Sequence, residues 1–400
     1  MSTNLIISLI FKLLLHFNTM NIIIKYKLHK IEIKQTSFGG NMERIIVRLD
    51  MDRDFEAFEE LSVISFGENT NSKKEMYEWL FNKNPYNKSG NMMYLLKEGE
   101  KVIGCDGLLP NELYVNGKTL LTAHSVKSMT HPDYKKQGIF RQMTQNSCER
   151  GLQDGVDVVI GLANDQSYPA YQRFNWPTLF EKEVYAKPIL ITNILKRRIK
   201  VGAVAALGNS IYSTYMKSKL NSQMDKEIKF EVLNKVPKEI QKCWDKYKSK
   251  YNVCLVRDYK YLNYRYNERP DVNYATLLAK INNEIIGFAI LHNSVANGSK
   301  MTSAVEFFTD PSNERFIKAL ANGVSKYCYD NKLEYVVIGT GLYGEYKRVL
   351  LNNGFMITRK PPKNNMMIAN ILSDKVTLED ITGHDKWHIT QGDGETELDL

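Results

Sequence analysis

The chain has 400 residues, a length that suits two domains better than one. With 43% hydrophobic and 25% charged residues it can bury full cores, which excludes a disordered or fibrous protein. Its five cysteines include no Cys-x-x-Cys pair and no histidines cluster at ligand spacing, so we expect no metal, no disulfide framework and a reducing, cytoplasmic setting.

The first 41 residues differ from the rest. The apolar stretch 5–17 is interrupted by two basic side chains, is too short to span a bilayer and lacks a signal-peptide cleavage site. The codons of Gly39 to Met42 can spell a purine-rich ribosome-binding sequence ahead of a start codon. We therefore expect residues 1–41 to be a mis-annotated leader or a disordered segment, with translation starting at Met42.

The charge balance changes accordingly. The whole chain has a net charge of +9, and residues 1–41 hold five lysines and one glutamate, a net +4, which leaves +5 for the remainder. An excess of that size does not demand a nucleic-acid partner, and we expect no DNA binding.

From Met42 onward the elements follow in chain order. Turn residues and apolar periodicity predict first a strand and two helices, then two hairpins, of which the second turns at Asn116-Gly117. The next strand leads into a helix that starts near Ile139 and ends before Gly155, and a short buried strand follows. The predicted strands are 44–49, 92–96, 102–108, 113–115, 118–121, 122–129 and 157–161, and the first two helices are 54–66 and 75–81.

The strand 122–129 is followed by a proline turn and by a basic loop that opens directly into a helix. The first N–H groups of a helix have no partner within it and carry partial positive charge, so they favour anions. Gly138 allows a close backbone approach, and neighbouring basic side chains add full charges. The predicted phosphate-binding residues are Lys135, Lys136, Gln137, Gly138, Ile139, Phe140 and Arg141.

This loop resembles that of the GCN5-related N-acetyltransferases, which has the form Arg/Gln-x-x-Gly-x-Gly/Ala. Here it reads Lys-Lys-Gln-Gly-Ile-Phe over 135–140, so the central glycine fits and both end positions differ. A second segment keeps the spacing of the family's next motif, with Asn164, Ser167 and Tyr171 before Asn175-Trp176 in place of Gly-Phe. The resemblance implies an α+β fold, a mixed central sheet flanked by helices, and an acyl-coenzyme A co-substrate.

The resemblance also implies roles for single residues. The pantetheine arm is expected to add to the strand edge at Met129 and Thr130 through backbone hydrogen bonds, and Asn164 to contact the cofactor. Tyr171 stands where the family's general acid lies, and a phenol can protonate the coenzyme A thiolate. The alternative is that Tyr171 only packs beneath Phe174 and Trp176.

The group that deprotonates the acceptor amine is less defined. His124 lies on the strand before the loop, and its reference pKa of about 6.5 suits a base. Asp106, Glu112 or a water chain are alternatives. Because side chains alternate along a strand, Ser125 and Lys127 are predicted on the face opposite His124, and only one of these sets faces the cleft.

The region between the two halves contains a basic cluster at 196–200. We interpret residues 181–228 as a partly helical linker, with an alternative in which residues 189–220 form an amphipathic helix on an anionic membrane. The acidic tail, Asp393 to Asp399, is expected to be solvated, with Trp387 as its anchor.

The second half repeats features of the first in the same order. Residues 334–339 echo 157–161, a hairpin turning at Asn282-Asn283 parallels the first hairpin, and Tyr264-x5-Pro270 parallels Trp79-x5-Pro85. The second copy has no glycine between its strand and helix, and Leu350 where Tyr171 stands, so we expect it not to bind the cofactor. The predicted domains are 42–180 (donor-binding), 229–372 (degenerate copy) and a tail at 373–400.

The favoured function is an N-acyltransferase that moves an acyl group, expected to be acetyl, from acyl-coenzyme A to the amine of a small molecule, sugar or peptide. A non-catalytic protein that keeps the acyl-coenzyme A pocket is the alternative, since Phe140 would crowd the pyrophosphate. A further alternative is an aminoacyltransferase of the Fem type using aminoacyl-tRNA, in which the basic cluster 196–200 would matter. The combination of one working and one degenerate copy is similar to Fem-type enzymes and N-myristoyltransferases.

Overall fold

The computed structural model describes residues 43–67, 73–192, 202–296, 298–339, 343–358 and 366–394. The expectations for residues 1–41 and for the basic cluster 196–200 concern residues outside these ranges. No helix within them is both long and apolar enough to cross a bilayer.

The elements are numbered in chain order over these ranges. The strands are β1 (Arg44–Arg48), β2 (Met92–Glu98), β3 (Lys101–Val115), β4 (Lys118–Thr130), β5 (Val158–Ala163), β6 (Thr178–Glu181), β7 (Val184–Pro188), β8 (Lys229–Leu233), β9 (Val253–Leu255), β10 (Ala275–Ile281), β11 (Glu284–Ala296), β12 (Ser299–Thr309), β13 (Tyr335–Ile338), β14 (Met356–Thr358), β15 (Met366–Ile371) and β16 (Trp387–His388). The helices are α1 (Phe55–Phe66), α2 (Lys74–Tyr77), α3 (Ile139–Gln153), α4 (Tyr168–Arg173), α5 (Gly202–Gln223), α6 (Ile240–Tyr247), α7 (Tyr259–Leu262), α8 (Glu314–Asp330), α9 (Tyr346–Asn352) and α10 (Leu378–Ile381).

The first sheet has the order β1-β2-β3-β4-β5-β15-β6, with β9 and β16 attached at β3. Only its pairs β4–β5 and β9–β16 are parallel. Along β2, Met93 and Leu95 join a core with α1 and α2, whereas Tyr94 and Leu96 join one with α3 and α4. This alternation places helices on both faces of the sheet.

The second sheet has the order β8-β10-β11-β12-β13-β7-β14, and only β12–β13 is parallel. The order of antiparallel and parallel pairs along β1-β2-β3-β4-β5 is therefore the same as along β8-β10-β11-β12-β13. Helices α6 and α8 pack on this sheet. The predicted α+β class, with mixed sheets flanked by helices, is confirmed.

The two halves exchange one strand each. β7 lies between β13 and β14 of the second sheet, and β15 lies between β5 and β6 of the first. The predicted boundaries differ from this arrangement: 184–188 was assigned to the linker and 366–371 to the second domain. A boundary drawn along the chain misses the exchange because strand partners are chosen by tertiary packing.

Two further predictions about elements are corrected. The strands predicted at 102–108 and 113–115 are one continuous strand, β3, which runs through Pro110. The tail is not entirely solvated either, since Asp393 is buried and forms an ion pair with Arg257. The predicted anchor is confirmed: Trp387 is fully buried and its indole N–H donates to the carbonyl oxygen of Ile381.

Candidate active site

The parallel strands β4 and β5 separate in the middle of the first sheet. They pair only from Thr122–Val158 to His124–Ile160, although β4 continues to Thr130 and β5 to Ala163. On its other side β4 stays paired with β3 up to Thr130. Beyond His124 the edge of β4 that faces β5 is therefore not paired with β5, and Met129 and Thr130 lie on that part of β4. Their contact with a pantetheine arm stays a prediction.

The predicted phosphate loop follows at the end of β4. Gly138 adopts a left-handed backbone with a φ of 80° immediately before α3, and residues 135–138 are exposed. A Cβ on Gly138 would meet nothing within 4 Å, so space is open on that side of the loop. The side-chain oxygen of Gln137 accepts a hydrogen bond of 2.9 Å from Arg44, which fixes the loop to β1.

The start of α3 is available to an anion, and that of α8 is not. No side chain caps the first turn of α3, which also contains no acidic residue. At α8 the side chain of Asn313 accepts from the backbone N–H of Phe316, and Glu314 stands in the first turn. The two equivalent helix starts thus differ as the sequence predicts: an anion suits the first and is repelled by the second.

Phe140, the bulky residue at the end of the loop, does not face the loop. Its half-buried ring lies 5.2 Å from the ring of Tyr171 and 5.5 Å from that of Phe174. Tyr171 also contacts Trp176, at 4.7 Å between ring centroids. These contacts direct the Phe140 side chain toward Tyr171 and Phe174, while its backbone N–H stays in the first turn of α3.

The hydroxyl of Tyr171 lies against β4, on the face that carries α3. It is 3.0 Å from Oγ of Ser125 and 3.3 Å from Oγ of Ser128. Oγ of Ser128 in turn donates to the carboxylate of Asp106. Burial raises the pKa of Tyr171, so the phenol keeps its proton at neutral pH. Tyr171 therefore both packs, as in the alternative interpretation, and presents a hydrogen-bonded hydroxyl.

A β-bulge in β4 creates this arrangement. Val126 pairs with Gly107 and Met129 with Cys105, so that Lys127 and Ser128 together stand opposite Asp106, and Lys127 has a φ of 51°. The predicted alternation holds up to the bulge, with Ser125 and His124 on opposite faces. Beyond it the faces shift by one residue, and Ser128 rather than Lys127 joins Ser125.

His124 lies on the other face of β4, where it lines a cavity of about 30 Å³ between the halves. Its Nδ1 has no hydrogen-bond partner among the described residues. Burial lowers the pKa of His124 to about 4, so the imidazole is neutral at pH 7. The other polar residues lining this cavity are Asn84, Asn111, Thr122, Tyr261, Tyr264, Arg265 and Asp393.

Asn164 is exposed directly after β5. Its side-chain oxygen accepts from the backbone N–H groups of Gln166 and Ser167 and from the Ser167 hydroxyl. These bonds shape the turn into α4, the helix that carries Tyr171. Asn164 thus positions the Tyr171 helix, and its predicted contact with the cofactor stays a prediction.

The separation between β12 and β13 in the second sheet is filled by the chain itself. There the C-terminal segment Thr390–Gly394 packs against β12: a Cβ on Gly392 would lie 2.9 Å from the carbonyl oxygen of Val305 and 2.8 Å from Glu306. Arg257 is fully buried and pairs with both Glu306 and Asp393. The separation between the parallel strands of the second sheet is thus filled by the chain's own C-terminal segment.

The sequence did not reveal that Ser128 contacts Tyr171, or that Arg257 forms ion pairs with Glu306 and Asp393. Nothing in the sequence marks the bulge at Lys127, a non-glycine residue, or foretells that residues far apart in the chain meet. Within the described ranges no three His, Cys, Asp or Glu side chains are grouped to hold a metal ion. The site thus combines a basic, uncapped helix start, an edge of β4 that is not paired with β5, and a buried phenol.

The fold and the site define a class: α+β proteins in which two parallel strands separate in the middle of a mixed sheet and the next helix starts without a side-chain cap. Residues 47–179 match the model of the acetyltransferase (GNAT) domain, which covers the separation, the loop and Tyr171. The match assigns this part of the chain, about a third of its length, to the GNAT acetyltransferase domain family. No curated protein matches it in sequence.

Solved structures resemble the chain over most of its length. A GCN5-related N-acetyltransferase from Anabaena variabilis is 11% identical, with a TM-score of 0.58 over 83% of this chain and 73% of that one. A probable N-acyltransferase from Enterococcus faecalis is 13% identical, with a TM-score of 0.56 over 82% of this chain and 73% of that one. Saccharomyces cerevisiae N-myristoyltransferase, solved with myristoyl-CoA bound, is 11% identical, with a TM-score of 0.52 over 85% of this chain and 80% of that one. At these identities the likeness concerns the fold.

Proposed function

We propose that the protein is an N-acyltransferase that uses an acyl-coenzyme A and transfers its acyl group to an amine. The observation that carries the proposal is the separation of β4 and β5 directly beside the uncapped start of α3. One feature admits an extended arm and the other binds an anion. A coenzyme A thioester has both parts, a pantetheine arm and a pyrophosphate.

In this proposal the pyrophosphate lies at the N–H groups of Gly138, Ile139 and Phe140, with Lys135, Lys136 and Arg141 nearby. The pantetheine amides pair with the backbone at Met129 and Thr130, where β4 no longer pairs with β5. The thioester then lies near the hydroxyl of Tyr171. When the amine has attacked and the C–S bond breaks, Tyr171 gives its proton to the sulfur.

The acceptor enters from the face of β4 that carries His124, opposite Tyr171. An imidazole whose pKa is about 4 is too weak a base to deprotonate an ammonium group with an ordinary pKa of about 10. We therefore propose that His124 accepts a hydrogen bond from an already neutral amine and orients it. The cavity at His124 is far smaller than a substrate, so the acceptor site includes residues that move apart on binding.

The orientation of Phe140 favours the enzyme over a non-catalytic binding protein, because the feature that supported the latter is absent. The aminoacyl-tRNA alternative depended on the basic cluster 196–200. That cluster lies outside the described residues, so this alternative stays a prediction. Contact of 189–220 with a membrane likewise stays a prediction.

Calorimetric titration with acetyl-coenzyme A and longer acyl esters tests the proposal, using three forms of the full chain. Gly138→Glu places a negative charge at the helix start and should abolish binding. Gly138→Ala is the matched control: it has the same strain from a positive φ and no charge, and its Cβ meets nothing within 4 Å. It should weaken binding only a few-fold.

Thiol release with a panel of amines then tests transfer. If no ester binds while the parent protein stays folded, the acyl-coenzyme A proposal fails. If esters bind but no amine supports thiol release, the non-catalytic alternative replaces it. Tyr171→Phe should keep the affinity for the ester and lower the rate of thiol release at least tenfold, given the usual contribution of general acid catalysis.

A further inference from the structure

Asp106 is a buried carboxylate in the middle of β3. It is 1% exposed, and no basic side chain of the described residues forms an ion pair with it. One of its oxygens accepts from Ser128, and the other, Oδ2, has no hydrogen-bond partner in the described part of the chain. Burying such a group is costly, so its presence beside Tyr171 points to a role at the site.

The bulge at Lys127 is what connects this carboxylate to Tyr171. Ser128 is one of the two bulge residues that stand opposite Asp106, and its Oγ is hydrogen-bonded to both the carboxylate and the Tyr171 hydroxyl. A regular strand would have turned Ser128 to the other face. The result is a continuous hydrogen-bond chain from Asp106 through Ser128 to Tyr171, with Ser125 as a second partner of the phenol.

The direction of this chain depends on whether Asp106 carries a proton, because each hydroxyl has only one hydrogen to donate. When Asp106 is ionised, Ser128 must donate to it and can only accept from Tyr171. When Asp106 is protonated, it can donate to Ser128, which then donates to the phenol oxygen. In that second state Ser128 stabilises the phenol oxygen from behind and the proton of Tyr171 is free to point at a ligand; Ser125 can donate to the same oxygen in either state.

We propose that Asp106 and Ser128 are positioning residues that orient the Tyr171 hydroxyl and supply it with a proton during acyl transfer. As the C–S bond breaks, sulfur takes the electron pair and the proton of Tyr171. The Tyr171 oxygen takes the proton of Ser128, and Ser128 takes that of Asp106. Asp106 is left as a carboxylate and regains a proton from water before the next turnover. This inference rests on the proposed function.

The surroundings of Asp106 fit this role. Ser128 faces it from β4, Ser147 and Cys148 from α3, and Tyr171 from α4. Burial raises the pKa of Cys148 to about 12 and that of Tyr171 above its usual value, so both are neutral at pH 7. Burial likewise raises the pKa of Asp106 to about 6, close enough to neutrality for both protonation states to be populated.

Infrared difference spectroscopy of the full-length protein tests the hydrogen bonds from Asp106 through Ser128 to Tyr171 without any turnover. The carboxylic acid band of Asp106, identified by its loss in Asp106→Asn, should titrate near pH 6. In Ser128→Ala it should titrate at higher pH, because the hydrogen bond that stabilises the carboxylate is lost. A band absent between pH 5 and 8, or unmoved by Ser128→Ala, overturns the inference.

Thiol release from acetyl-coenzyme A with the amine panel, measured from pH 5 to 8.5, is the second arm. Ser128→Ala should lower kcat at least tenfold with an unchanged Kd for acetyl-coenzyme A. Asp106→Asn keeps a donor toward Ser128 and supplies no proton, so it should lower kcat and remove the inflection near pH 6. Thr144→Val, whose buried hydroxyl on α3 has no partner among the described residues, is the matched control and should behave as the parent.

The outcomes separate the two proposals. Suppose that the parent transfers acyl groups and that both variants are folded by circular dichroism. If their kcat values then stay within twofold of the parent's and show the same pH profile, the positioning role is wrong and the proposed acyltransferase function stands. If the parent neither binds nor transfers, the proposed function fails, and the infrared titration alone decides whether Asp106 and Ser128 are coupled as described.

Discussion

Trp79 and Tyr264 stack on one another with their ring centroids 5.2 Å apart, and each also bonds to the other's backbone. The indole N–H of Trp79 donates to the carbonyl oxygen of Tyr264 at 3.0 Å, and the phenol of Tyr264 donates to the carbonyl oxygen of Trp79 at 3.2 Å. Both residues lie in wide helical turns, 78–82 after α2 and 263–267 after α7. The two positions matched by the sequence repeat thus contact each other where the halves meet.

This contact predicts a large effect of Trp79 on stability. Trp79 is 1% exposed, and Trp79→Ala should lower the free energy of unfolding by about 3–5 kcal/mol, from lost burial and the cavity that remains. Tyr264→Phe is the matched control: it keeps the stacked ring, loses one hydroxyl, and should cost about 1 kcal/mol. Urea denaturation measures both, and equal losses would contradict a role for stacking.

The neutrality of His124 can be measured directly. Because burial lowers its pKa to about 4, its imidazole resonance should not shift between pH 8 and 5.5 in NMR spectra, in contrast to an exposed histidine with a pKa of about 6.5. His124→Gln assigns the resonance. A shift with a midpoint between pH 6 and 7 would restore His124 as an effective base for the acceptor amine.

Lys187, on the exchanged strand β7, should destabilise the protein at neutral pH. It is 3% exposed, its Nζ has no hydrogen-bond partner among the described residues, and burial lowers its pKa from 10.5 to about 8. The folded-state pKa lies below the unfolded one, so stability should be lowest below pH 8 and rise between pH 8 and 10.5.

Replacing Lys187 by methionine removes this cost. Lys187→Met should raise the free energy of unfolding at pH 7 by about 3 kcal/mol and flatten its dependence on pH above 8. Lys217→Met, at an exposed position of α5, is the control and should change little. A loss of stability in Lys187→Met would mean that the ammonium group is stabilised by interactions stronger than its contact with the Phe355 ring.

The Arg257 ion pairs should hold the C-terminal segment against β12. Arg257→Met leaves the carboxylates of Glu306 and Asp393 buried without a counterion, which should cost about 3–5 kcal/mol at pH 7. Burial raises the pKa of Glu306, so the loss should shrink toward pH 5 as Glu306 takes up a proton. Hydrogen exchange at 387–394 reports release of the segment, and unchanged protection there would contradict this account.

Local chemistry is what the sequence by itself determined. The basic loop, Gly138 and the uncapped helix follow from neighbouring residues, because φ preferences and free N–H groups are properties of a short stretch of chain. The spacing from Asn164 to Trp176 likewise located Tyr171 correctly on its helix, and the Asn282-Asn283 hairpin formed as predicted. In each of these the interacting groups lie within one or two elements.

The tertiary structure alone decided the arrangements that join distant parts of the chain. The exchange of β7 and β15 and the closing of the second opening by Thr390–Gly394 depend on long-range packing. The bulge at Lys127 is formed by pairing with β3, and no residue in β4 marks it. In the bulge Lys127 and Ser128 of β4 stand opposite the single residue Asp106 of β3, and this turns Ser128 toward Tyr171 and Asp106. The bulge exists only once both strands are paired.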